Sequence, residues 1–110
     1  MVKSNVFHCE VAVSPSVEEK FLRKHIIEIW EVEEVIYDDS HAFSISYKDC
    51  HFIYGQTFSG RYLLVLVKVL SLEEILKLSF MQGTNVLKII TARDMNSKQR
   101  KIYNKRKGVA

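Results

Sequence analysis

Apolar residues alternate with polar ones in parts of this chain and recur at helical spacing in others. Residues 6–13 alternate well enough for a strand, and the Ser-Pro-Ser break at 14–16 ends it. Ser16 and Glu19 have the spacing of a capping box, so we expect a first helix to begin there. Apolar residues at intervals of three and four predict a second short helix over residues 29–38.

Beyond the second helix the period of the pattern changes to two, which is typical of strands. Residues 41–49 predict a half-exposed strand, residues 50–57 predict the next one, and residues 62–70 predict a central strand buried on both faces. Residues 86–91 predict the last strand. Residues 71–85 favour either a helical insertion or a long hairpin, and the pattern does not separate the two.

The segment after the last strand predicts a basic helix over about residues 96–107, which Asn96 or Ser97 can cap. We therefore expect an α+β fold in the order β-α-α-β-β-β-α, with an antiparallel sheet packed by helices. Composition favours a single small domain over residues 1–110. The 47% of hydrophobic residues suffice for one core, and the Gly 4 and Pro 1 leave little for linkers.

Composition also argues against several classes of protein. The longest uninterrupted apolar run, Leu63–Val67, is far below the roughly 18 residues of a membrane helix. We therefore expect no membrane partner and a soluble, cytoplasmic protein. Cys9 and Cys50 lack the spacing of a CxxC motif or of metal ligands, so we expect reduced, packed side chains. There is no Gly-rich phosphate loop and no hydrolase triad motif, and we expect no cofactor and no metal.

Charge is segregated along the chain, although the net charge is only +3. Residues 1–59 carry five Lys and Arg against ten Asp and Glu, a net −5, and residues 60–110 carry eleven against three, a net +8. From residue 97 onwards there are six cations and no acid. Such a segment indicates either a polyanionic partner such as RNA or a solvated terminal helix. A DNA-binding regulator would also fit the charge, but no helix-turn-helix is recognisable.

Four stretches of the chain carry a more specific pattern: "LRKH", "EVEEVIYDD", "YGQTFSGRYLLVLV" and "KIITARDMNSKQRKIY". They resemble the BrnT-type toxins, small ribonucleases of bacterial type II toxin–antitoxin pairs with a RelE-like fold. The first two are similar to a helix ending in Lys-His-Gly and to an acidic second helix. The third is similar to a strand, a Gly-Arg turn and a hydrophobic strand. The fourth is similar to a strand ending in Thr-Ala-Arg, followed by a helix with Glu-Arg and Tyr. Together they span about residues 17–106.

The resemblance implies a toxin-like endoribonuclease that cleaves RNA, ribosome-associated mRNA included. It also implies a cognate ribbon-helix-helix antitoxin that covers the basic face, and it leaves a homodimer open. Two positions depart from the family pattern: Ile26 stands where the family has glycine, and Gln99 stands where it has an acid. These departures favour the alternative, a non-catalytic RNA-binding or partner-binding module that retains the toxin fold.

Cleaving RNA without a metal needs a base for the 2′-OH, cations for the charged phosphorane and an acid for the leaving oxygen. At the matching positions, His25 has an unperturbed pKa of about 6.5 and suits an acid or a base, although a histidine there could equally cap the helix. Arg93 stands where the last strand enters a loop, and its fork suits phosphate oxygens. Its alternative is a salt bridge to Asp94 or to the acidic helix.

Arg61 and Tyr103 complete the candidate catalytic set that the resemblance implies. An exposed cation at the hairpin end is as good an interpretation of Arg61. Tyr103 could stack on a base or donate a proton, but aromatic residues on a terminal helix more often pack inward. The remaining candidates are expected to bind the RNA backbone: Lys24, Lys98, Arg100, Lys101, Lys105 and Arg106.

Overall fold

A computed structural model describes residues 10–12, 14–20, 26–71, 73–74 and 86–108, and these residues form an α+β domain. The second helix continues directly into a π-helical turn, Glu34–Asp38. In chain order the elements are β1 Glu10–Ala12, α1 Pro15–Lys20, α2 Ile29–Glu33, β2 Phe43–Tyr47, β3 Cys50–Gln56, β4 Tyr62–Val69, β5 Val86–Asp94 and α3 Ser97–Lys107. Most of the predicted insertion at 71–85 lies outside the described residues, as does the start of the predicted first strand.

The five strands form one sheet in the order β1-β5-β4-β3-β2. Strands β2 to β5 pair antiparallel, whereas β1 pairs parallel with β5. The predicted order was wrong in counting three strands between α2 and α3, because all four segments predicted there as strands, residues 41–49, 50–57, 62–70 and 86–91, form strands. A two-residue turn in which Lys48 takes a positive φ of 54° joins β2 to β3 in a hairpin, as expected from the two strands predicted over residues 41–49 and 50–57. The parallel pair also departs from the expected wholly antiparallel sheet.

Helices α1 and α3 begin at residues whose chemistry suits a helix N-terminus. Helix α1 begins at Pro15, one residue before the predicted cap Ser16, and proline suits a first helical position because it needs no N–H partner. Of the two predicted caps of α3, Asn96 and Ser97, the structure has Asn96. The Asn96 side chain accepts a hydrogen bond from the Gln99 backbone N–H at 2.8 Å, and the Gln99 side chain accepts one from the Asn96 N–H at 2.9 Å.

Both faces of the sheet are packed, but by different elements. On the first face, which we call the α2 face, buried residues of the strands meet those of α2 and its π-helical turn. The approach is close at Gly55, where a Cβ would overlap the Val35 side chain. The second face, which we call the α3 face, holds a smaller cluster in which Leu64, Met95 and Tyr103 pack with four aromatic residues.

Strand register fixes which side chains share a face, because residues directly opposite each other in a ladder point the same way. Across the α3 face, one row runs from Arg93 on β5 through Leu64 and Tyr54 to Phe43 on β2. Asp94, the next residue of β5, is opposite Leu63 and therefore lies on the α2 face. Within the described part of the chain, no helix is both long enough and apolar enough to cross a lipid bilayer.

Candidate functional site

Helix α3 presents a row of cations to solvent while its other side packs on the sheet. Tyr103 is fully buried on the sheet side, and the Arg106 guanidinium lies 4.2 Å from the centre of the Phe43 ring. The four other predicted RNA-binding cations of α3 are exposed, and no carboxylate of the described residues pairs with them. We call these four the basic face of α3: Lys98, Arg100, Lys101 and Lys105.

Arg93 is exposed one residue from the end of β5, on the α3 face. Its Nη1 donates a long hydrogen bond, 3.5 Å, to the backbone carbonyl of Asp94. The alternative of a salt bridge to Asp94 is not what the structure has, because the Asp94 carboxylate is bound by Arg61 instead. Within the described residues the Arg93 guanidinium has no carboxylate partner, so it is accessible to a phosphate.

Arg61 is bound by three different parts of the chain. Its Nε and Nη2 donate to the two carboxylate oxygens of Asp94 at 2.8 and 3.1 Å. Its Nη1 donates to the Ile26 carbonyl at 2.7 Å and to the Glu31 carboxylate at 3.2 Å. The hydrogen bonds that Arg61 donates to Asp94 raise the pKa of Arg61, against the opposing effect of burial, and the charges of Asp94 and Glu31 raise it further.

The position of Arg61 differs from that of Arg93 in an important respect. Asp94 lies on the α2 face and Arg93 on the α3 face, so the two predicted catalytic arginines are on opposite sides of the sheet. Arg61 connects β5, α2 and the backbone at Ile26, three residues before α2. Its contacts are those of a structural cross-link, and its catalytic role stays a prediction.

The backbone of Ile26 adopts the left-handed conformation, with φ of 50°. Glycine, the residue at this position in the toxin pattern that the chain resembles, would take this conformation without strain. For a β-branched residue it costs on the order of 1–2 kcal/mol. The hydrogen bond from Arg61 to the Ile26 carbonyl stabilises the turn, so the departure at this position does not prevent the chain from turning.

Tyr103 is packed inward against the sheet, which was the alternative to a role in base stacking or proton donation. Its hydroxyl donates to the Asp39 carboxylate at 2.7 Å, and its ring lies edge-on to Tyr62, 5.9 Å between centroids. Burial raises the pKa of Tyr103 well above its ordinary value, and the hydrogen bond and charge of Asp39 raise it further. The hydroxyl is therefore neutral and committed to Asp39, and the ring is not exposed to stack on a base.

Two remaining candidates and one departure complete the set. His25 and Lys24 lie outside the described residues. Gln99, at a position where the resembled toxin pattern has an acid, forms half of the capping box of α3. Among the residues that the structure describes, no group of three or more His, Cys, Asp or Glu side chains is placed to hold a metal ion.

The sequence reasoning missed the aromatic character of the α3 face. Phe43, Tyr47, Phe52 and Tyr54 share this face, and Tyr47 is 56% exposed. The alternation over residues 41–57 could have predicted this feature, because a period of two places these rings on one face of the sheet. A search of protein-family models and of curated protein sequences found no match to this chain.

Proposed function

We propose that this chain binds RNA through the basic face of α3 together with Arg93, as a toxin-like protein with a RelE-like fold. The observation that carries the proposal is the exposure of all these cations, with no described carboxylate paired to them. Lys and Arg side chains at a protein surface bind phosphates and release condensed counterions, which supplies most of the affinity for RNA.

The experiment for this proposal is an equilibrium titration of a fluorescently labelled single-stranded RNA. We expect the variant with all four residues of the basic face replaced by glutamine to bind much more weakly than the wild type. Lys20→Gln is the matched control, because Lys20 is an exposed helical cation of α1 and not part of α3. Equal affinity of the quadruple variant and the wild type would contradict the proposal.

A second candidate function is metal-independent endoribonuclease activity of the toxin type. Two observations favour it over a binding module. Ile26 takes up the turn that the family's glycine provides, and Arg93 is exposed at the end of its strand. In this reaction the 2′-oxygen attacks the adjacent phosphorus and the 5′-oxygen leaves. His25 would transfer the proton and Arg93 would stabilise the charge on the phosphorane.

Cleavage by this route has a distinctive chemical signature. We expect it to continue in EDTA, to fail on DNA, and to fail on an RNA whose 2′-OH at the cut site is replaced by hydrogen. The product should end in a 2′,3′-cyclic phosphate, because the attacking oxygen stays on the same ribose. Activity that requires added Mg²⁺ would contradict this mechanism. Binding without cleavage across many RNAs would instead favour the non-catalytic module.

The proposed partner is a cognate ribbon-helix-helix antitoxin that covers the basic face of α3 in the cytoplasm. A neighbouring short reading frame for such a protein would support the assignment. Induced expression with and without that neighbour, scored for growth and RNA integrity, tests it directly. Toxicity that the neighbour suppresses is the expected result, and toxicity unchanged by the neighbour would contradict the partnership.

A further inference from the structure

Among the described elements, helix α3 packs on one end of the α3 face, and the part of that face beyond it has exposed or half-buried aromatic and aliphatic side chains. The row next to the covered one runs from Thr91 through Leu66 and Phe52 to Ile45. Beyond it, Tyr47 is opposite Cys50 at the end of the β2–β3 hairpin. Tyr47 and Ile45 are 56% and 39% exposed, and the rings of Tyr47 and Phe52 lie 5.9 Å apart.

Cations border this part of the α3 face on the strands. Lys68 of β4 is directly opposite Lys88 of β5 in the ladder, and like charges in that arrangement destabilise a sheet. Lys68 pairs with Glu74 at 3.4 Å, but Lys88 has no carboxylate partner among the described residues. Arg93 lies on the same face. A polyanion lying across two facing lysines would offset the repulsion between them.

Two further elements bring cations to the same surface. At the hairpin end, the Lys48 ammonium lies 5.5 Å from the centre of the Tyr47 ring, and the exposed Asp49 beside it is the acid of that turn. On α3, the Arg106 guanidinium lies 4.2 Å from the centre of the Phe43 ring, at the covered end of the same face. The surface therefore has apolar and aromatic side chains at its centre and cations along its borders.

We propose that this surface binds the unpaired bases of single-stranded RNA by stacking on Tyr47 and Phe52. We call it the aromatic surface and define it as Ile45, Tyr47, Phe52, Leu66, Lys68, Lys88 and Arg93. The inference deepens the proposed function and rests on it, since the basic face of α3 would hold the phosphates of the same strand. Aromatic rings stack on any unpaired base, whereas the base faces of a duplex are already stacked.

The test uses the full chain and two probes, a labelled oligoadenylate RNA and inorganic polyphosphate of similar charge. The Tyr47→Leu, Phe52→Leu double variant keeps apolar side chains but removes the rings. We expect it to bind the RNA about 5- to 100-fold more weakly and to bind polyphosphate as the wild type does. Trp30→Leu is the matched control, because Trp30 is an aromatic residue, 52% exposed, on α2 at the other side of the sheet.

The outcomes separate this inference from the function on which it rests. Suppose that the double variant binds RNA as tightly as the wild type, while the quadruple variant of the basic face of α3 binds it more weakly. Base stacking on the aromatic surface would then be refuted, and RNA binding by the basic face would be supported. If the wild type binds no RNA, both are overturned. Because Phe52 is partly buried, Tyr47→Leu alone serves as the second variant, and it should weaken RNA binding at least several-fold without changing stability.

Discussion

Arg61→Ala is expected to destabilise the fold, whereas Arg93→Ala is not. The Glu31 side chain is only 9% exposed, and removing Arg61 would leave this carboxylate without its cation. The bridge to Asp94 adds less, because the Asp94 side chain is 55% exposed and well screened by water. The loss of both contacts and of the hydrogen bond to Ile26 should cost about 2–4 kcal/mol of unfolding free energy.

Urea denaturation followed by circular dichroism measures this loss directly. Arg93→Ala is the matched control, since an exposed arginine without a described carboxylate partner should contribute less than about 1 kcal/mol. The unfolding free energy of Arg61→Lys should lie between those of Arg61→Ala and the wild type, because one ammonium cannot reach all the partners of the planar guanidinium. If Arg61→Ala were as stable as the wild type but lost RNA binding or cleavage, Arg61 would be a functional residue and the cross-link interpretation would be refuted.

Three further predictions concern backbone strain, a buried phenol and a helix cap. Ile26→Gly should be more stable than Ile26→Ala by about 0.5–1 kcal/mol, the reverse of the usual order, because only alanine is strained at this φ; equal midpoints in urea would contradict this. The raised pKa of Tyr103 means that its contribution to stability is complete below about pH 10 and is lost as the pH rises further. The urea midpoint should therefore decrease above about pH 10. Tyr103→Phe, which also loses the hydrogen bond to Asp39, should remove that decrease. Asn96→Ala should cost about 1 kcal/mol through loss of the α3 cap, and an unchanged midpoint would show that the cap is not needed.

Local patterns in the sequence predicted the elements that depend on local physics. The period of two placed β2, β3 and β4 within one or two residues of their observed ends, because alternation directly reports one face of a strand. Asn96 was predicted as a cap because its side-chain oxygen reaches backbone N–H groups only two or three residues away. The span of the second helix was also confirmed, but its change to a π-helical turn at Glu34 had no signal in the sequence.

The contacts of the candidate site could not be predicted in this way, because they join residues that are distant along the chain. Arg61 is 33 residues from Asp94 and 30 from Glu31, and Tyr103 is 64 residues from Asp39. Hydrophobic periodicity says which side of an element is buried, but not which polar groups meet there. For the same reason, no pattern along the chain indicated that Arg61 and Arg93 lie on opposite faces of the sheet.

The salt dependence of RNA binding tests the proposed interface most directly. Each phosphate contact on a single strand contributes about −0.7 to the slope of the logarithm of the binding constant against the logarithm of the salt concentration. We predict a steep slope for the wild type and a slope shallower by up to about 3 when the four cations of the basic face of α3 are replaced by glutamine. A slope that is the same for the wild type and the quadruple variant would contradict the account, because the phosphates would then be bound elsewhere on the chain.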